Sequence, residues 1–190
     1  MSDTQAHGWT LVASAQYTGG RIYAFASNTT ATATPDALTV DLGSGQTGTV
    51  FEIVVYRVRN APFFGASAVV QTAVQSNGNG ASAPIPTFSA NVNASDAVVE
   101  VLAANVNWGI DGPTGWAANY WNQEATPTGE AKATSIGGGF TGRTIPWPDH
   151  TGVGSSFGTI ALELHFTTTA APATLRTAQA SRRVGRQRLR

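Results

Sequence analysis

No stretch of this sequence holds a helical period of apolar residues for more than about two turns. Short alternating runs recur instead, separated by clusters of Gly, Pro, Asn and Ser. That punctuation restricts the chain to an all-β fold of short strands, an antiparallel β-sandwich or a barrel. The clearest run is Gly158–Phe166, in which Ile160, Leu162, Leu164 and Phe166 alternate with Thr159, Ala161, Glu163 and His165. The alternation predicts a sheet with the first set packed inward and the second facing water. Further strands are expected over Trp9–Gln16 and Arg21–Ser27, joined as a hairpin through Gly19-Gly20. Others are expected over Ala37–Leu42, Thr49–Arg59, Ala66–Val74, Ala97–Asn105 and Gly129–Ile136. Thr49–Arg59 is apolar on both faces, so it should be covered on both faces, by a loop or by another subunit. Ser76-Asn77-Gly78-Asn79-Gly80 reads as a turn.

At 190 residues the chain suits one sandwich with an appendage. Residues 1–166 are assigned to the sandwich and residues 167–190 to an extended C-terminal arm, with a short helix expected near Ala178–Arg190. The formal net charge of zero conceals a division. Arg176, Arg182, Arg183, Arg186, Arg188 and Arg190 fall in the last 15 residues with no acid among them. Residues 1–175 carry 5 basic side chains against 11 acidic ones. A like-charged block stays extended until it meets a partner, and guanidinium groups pair bidentately with carboxylates. The arm is therefore read as an anchor on an acidic protein surface. Nucleic acid ranks below that, because the body supplies no matching basic face. Only 12% of residues are charged, about half the usual share, which fits a surface packed into an assembly and predicts a homo-oligomer.

Catalytic patterns are absent from the sequence. Gly43-Ser44-Gly45 lacks the spacing of a nucleophile elbow, and Gly137-Gly138-Gly139 lacks the Gly-Lys-Ser/Thr ending of a phosphate loop. His7, His150 and His165 are widely separated, and Asp149-His150 reads as a polar turn. Asp111, Glu124 and Glu130 show no spacing suited to glycoside hydrolysis. With no Cys, disulfides and thiolate metal sites are excluded, and neither a metal nor a cofactor is expected. No apolar run approaches the roughly 18 residues that span a bilayer, and Met1–Thr10 lacks the layout of a signal peptide, so no membrane partner is expected. The chain is not expected to be an enzyme.

Two long irregular segments are expected, Asn105–Pro127 and Gly137–Ser156. The first gathers Trp108, Trp116, Tyr120 and Trp121 near several amides, and Trp147 lies in the second. Flat rings stack on sugars while amides and carboxylates bind hydroxyls, so these residues form a candidate contact for a host-surface glycan. The competing assignment is that the rings pack the end of the sandwich or a subunit interface.

Five segments carry a family resemblance. Gly8-Trp9-Thr10-Leu11-Val12 resembles the "GWTLV" element of a recurring jelly-roll-like β-sandwich domain of phage virion and bacterial surface proteins, and Arg21–Ala26 resembles its next strand. Val54-Val55-Tyr56-Arg57-Val58 is similar to its "A-Y-R-G-V" strand. Ser89–Asn105 and Gly158–Leu164 are similar to its "T-T-x-D-x-A-L-V-V" and closing "A-x-A-L-A-L" strands. The resemblance spans roughly Gly8 to Phe166. It implies a structural component of the virion, in capsid decoration, a head spike or fibre, or the tail, with capsid or other virion proteins as partners and no catalytic residues. In that family a strand pair of the type "G-D-L-L-V-A" precedes the first element, where this sequence has only Met1–His7. The resemblance thus leaves a sheet edge to be covered by a neighbouring subunit or by the basic arm.

Overall fold

The structure, a computed structural model, describes residues 2–3, 8–18, 20–27, 38–40, 52–57, 65–79, 85–104, 117–123, 130–136, 140–145, 156–165 and 176–181. These residues form an all-β protein of antiparallel strands. The strands are β1 (Ser2–Asp3), β2 (Trp9–Tyr17), β3 (Gly20–Ser27), β4 (Leu38–Thr39), β5 (Glu52–Arg57) and β6 (Val69–Asn79). They continue with β7 (Ala97–Ala104), β8 (Ala117–Gln123), β9 (Glu130–Ile136), β10 (Ser156–Leu164) and β11 (Arg176–Ser181). The only helical turn among the described residues is a 3-10 turn at Gly65–Ala68.

The main sheet has five strands in the order β6-β10-β7-β9-β8. The other strands pair as β1 with β4, β2 with β3, and β5 with β11. β10 pairs with β6 on one side, Ala161 opposite Ala73, and with β7 on the other, Ala161 opposite Glu100. Because partners in an antiparallel ladder share a face, these registers sort the side chains of the main sheet into two sets.

One face carries Gly158, Ile160, Leu162 and Leu164, and it is covered by the β2–β3 hairpin. The hairpin expected from the alternation forms, with Tyr17 and Gly20 as its last cross-strand partners, so that Gly20 belongs to β3 rather than to the turn. A bulge between Leu11 and Ala13 shifts the strand's phase, so Ala13, Ala15 and Tyr17 turn inward while Leu11 is exposed. The Gln16 and Thr18 amides donate to the hydroxyls of Ser76 and Ser156, tying the hairpin to β6 and β10. Gly158 sits under this contact: a Cβ there would lie 3.2 Å from the Ala15 Cβ and 3.4 Å from the Gln16 carbonyl.

The second face corrects the expectation of a wet surface. Thr159, Ala161 and Glu163 are buried, and so are Glu100, Val98 and Leu102 on β7. Two extended segments, 85–92 and 140–145, lie over them. Phe88 donates its amide to the Arg143 carbonyl, Val92 to Gly142 and Ile145 to Pro86, with Thr87 bridged to Thr144. Phe88, Val92 and Ile145 pack on Ala73, Val98 and Ala161, with Phe140 at the margin. Small side chains on this face leave room for the rings of the cover. The polar positions that looked solvated are the floor of a second core.

Three other expectations change. Ser76–Asn79 continues β6 as strand because β10 supplies partners out to Ser156 opposite Asn79. Residues 117–123, expected within an irregular segment, form β8 at the edge of the main sheet. Residues 176–181 form β11 rather than part of a short helix, because β5 offers its edge from Arg57 back to Glu52. Phe166, and the remaining arm residues 167–175 and 182–190, lie outside the described residues.

Two predictions follow from the hairpin face. Gly158→Val should lower stability by about 1–3 kcal/mol, measured by urea unfolding, because the hairpin must lift to admit the side chain. Burial raises the Tyr17 phenol above the ordinary tyrosine range. Its contribution to stability is therefore full below the unfolded value of about 10 and is lost as pH rises from there through the folded value. Unfolding followed between pH 8 and 11 should show this loss in the native protein and a flatter profile in Tyr17→Phe.

Candidate functional site

The densest group of polar and ionisable side chains among the described residues lies at one end of the buried sheet face. Glu163 on β10 and Gln71 on β6 are cross-strand partners. Above them passes the segment 89–96, whose sequence Ser-Ala-Asn-Val-Asn-Ala-Ser-Asp is rich in groups that favour turns over regular strand. Asn93 organises it: its side-chain oxygen accepts from the Ser95 amide and hydroxyl, and its carbonyl accepts from the Asp96 amide.

The loop is fastened to the sheet by one network. Glu163 Oε1 accepts from the Asn93 amide at 2.8 Å, and Oε2 accepts from Gln71 Nε2. Gln71 Oε1 accepts from the Ser89 hydroxyl at 2.9 Å and the Ala90 amide at 3.1 Å. Its Nε2 also donates to the Ala90 carbonyl. Beside this, His165 Nδ1 lies 3.0 Å from Asp96 Oδ1, and the His165 amide donates to the Ala68 carbonyl. Asp96 and Glu163 are only 2% and 1% exposed, so their charges are met by protein groups rather than by water.

A cleft of about 340 Å³ opens over this group, lined in part by Gln71, Ser89, Asn91, Asp96, Glu163 and His165. The His165–Asp96 contact is of the kind that orients an imidazole for proton transfer. Ser89, a hydroxyl in the same cleft, donates to Gln71. Among the described residues no group of three or more His, Asp or Glu is arranged to hold a metal ion. The arrangement serves to hold a loop: each oxygen of Glu163 and both ends of Gln71 are engaged in binding segment 89–93 to the sheet. Glu100 is handled similarly, accepting from the Thr159 hydroxyl at 2.8 Å within the same face.

The sequence did not single out these residues. Glu163 and His165 alternate with large apolar residues and so read as solvent-facing, Gln71 is uncharged, and Asn93-Ala94-Ser95 matches only the glycosylation pattern. The available signal was slight: Thr159 and Ala161 are small side chains that leave room for a covering segment.

The residues that were singled out are placed differently. Trp108, Trp116 and Trp147 lie outside the described residues, as do Asp111, Glu124, Asp149 and His150. Tyr120 and Trp121 occupy successive positions of β8, with Ala133 and Lys132 of β9 as their cross-strand partners. Glu130 begins β9. Arg176 begins β11 with Arg57 as its cross-strand partner, and Arg182, Arg183, Arg186, Arg188 and Arg190 lie beyond the described residues.

Comparison with known proteins adds no relative: no protein-family model, no curated protein and no solved structure matches the chain.

Gln71→Ala should lower stability by about 1–3 kcal/mol, because it strands Glu163 Oε2 and the Ala90 amide without their partner. Hydrogen exchange should report the loss locally, with the Ala90 and Asn93 amides exchanging faster than those of β2 and β3. Unchanged exchange at both would show that the network does not hold the loop.

Proposed function

We propose that the protein is a structural component of a phage or phage-like particle, located in the virion as a capsid decoration, head spike or fibre, or tail subunit. In this reading residues 1–166 form a jelly-roll-like β-sandwich and residues 167–190 an arm that anchors it to capsid or other virion proteins. The observation that carries the reading is the charge division, six arginines and no acid in the last 15 residues against an acidic remainder. The fold is compatible with it, since antiparallel sheets stacked in layers offer a stable body with little chemistry of its own. The carboxylates of the main cleft are engaged in structure, which favours a scaffold over a catalyst.

Anchoring by arginine depends on carboxylate pairs that gain strength when partly removed from water and lose it with salt. A chain ending at Ser181 keeps every described strand and loses five arginines. It should fold with the circular dichroism and urea midpoint of the full chain, yet fail to sediment with particles assembled in its own host. Full-length protein should be released from particles progressively as sodium chloride rises from 0.1 to 1 M. Sedimentation of the truncated chain at the full-length level would overturn the proposal.

A further inference from the structure

The β2–β3 hairpin turns one face to β10 and carries a row of apolar and aromatic side chains on the other. The register fixes which residues share that outer face. Gln16 lies opposite Arg21, Ser14 opposite Tyr23 and Leu11 opposite Phe25, and the bulge between Leu11 and Ala13 brings Leu11 and Ser14 to the same side. Tyr23 and Leu11 are each 50% exposed, and Phe25 and Trp9 are half-buried on the same face. The Tyr23 and Phe25 ring centres lie 6.3 Å apart with their planes 33° from parallel, so the pair is tilted rather than edge-to-face. Contiguous apolar groups left at a surface mark contact sites.

Arg21 decides what kind of contact this is. It is exposed, and its Nη2 donates to Gln16 Oε1 at 3.0 Å across the hairpin. That bond holds the guanidinium beside Tyr23, its neighbour on the same face of β3, and leaves further N–H groups for a ligand. Among the described residues Arg21 makes no ion pair, and the outer face of the hairpin carries no acid. Two copies laid together on this face would bring arginines with no carboxylate to meet them. A negatively charged occupant is favoured instead. Spacing narrows its chemistry. Side chains two apart on a strand stand about 7 Å from one another. A pyranose ring bearing a carboxylate reaches both: its C–H face stacks on Tyr23 while the carboxylate accepts paired hydrogen bonds from Arg21. The Ser14 hydroxyl, opposite Tyr23, adds a partner for a ring hydroxyl. An acidic protein side chain supplies the charge without the ring-sized apolar face beside it.

We infer that the outer face of the β2–β3 hairpin binds a carboxylate-bearing sugar, with Tyr23 stacking on the ring and Arg21 holding the carboxylate. Phe25, Leu11 and Trp9 continue the apolar floor toward neighbouring units of an oligosaccharide. The site lies on the body of the protein and does not depend on the arm, so its failure leaves the anchoring role in place. One exposed contact of this kind is weak and gains strength when repeated over many copies.

Saturation-transfer NMR of the full-length chain tests this with sialyllactose, a glucuronic acid oligosaccharide and neutral lactose as probes. At least one acidic probe should receive saturation, strongest at its ring C–H protons, and lactose should receive little. Binding of one acid and not the other identifies which class of sugar acid the site takes. Arg21→Gln and Tyr23→Ala should each weaken binding by about three- to tenfold. Both side chains are exposed, so the urea midpoints of the variants should match that of the native chain. Tyr23→Phe, which keeps the ring, should retain most of the binding. No saturation of either acidic probe would overturn the inference, as would binding that both Arg21→Gln and Tyr23→Ala leave unchanged. A change of oligomeric state in Tyr23→Ala, with no sugar bound by the native chain, would assign the face to a protein contact and overturn it as well.

Discussion

The architecture turns on β10 being buried on both faces. Gly158 admits the β2–β3 hairpin on one side, and Glu163 holds a loop on the other. The two constraints oppose each other chemically. The hairpin face requires the absence of a side chain, so that backbone can approach backbone. The loop face requires a charged side chain carried into the interior, where it is tolerated only because Asn93 and Gln71 occupy both of its oxygens. Replacing water around a carboxylate by two fixed donors fixes the position of segment 89–93, and with it the placement of Phe88 and Val92 over Ala161 and Val98. The outer layer on that face is thus positioned by hydrogen bonds and stabilised by apolar burial.

Much of the fold was legible because strand alternation is a local property. The hairpin around Thr18-Gly19, β7 and β10 all follow from residues adjacent in sequence. What was not legible depended on contacts between distant segments. Thr159, Ala161 and Glu163 alternate with larger apolar residues and look solvent-facing until residues 85–92 and 140–145 are known to cross them. Ser76–Asn79 has the composition of a turn and becomes strand because β10 extends far enough to pair with it. Leu11 looks like a core residue of β2 and is turned outward by a bulge that the sequence does not announce. The cleft was illegible for the same reason: its members come from β6, from the loop before β7 and from the end of β10, and no sequence spacing brings the three together.

The arm poses a different physical problem. Six arginines with no acid in the last 15 residues repel one another, and in the proposed function that charge is met by an acidic partner surface. Within it, Arg176–Ser181 pair with β5 as an antiparallel strand. The scarcity of surface charge elsewhere belongs to the same account.

The most direct test of this account is an electron cryomicroscopy map of the protein in its assembled form, traced from His165 through Arg190. The account predicts density for residues 182–190 leaving β11 to contact another subunit or the surface of a larger particle. Density for residues 182–190 lying wholly on the body of its own chain, with no neighbour in contact, would contradict it.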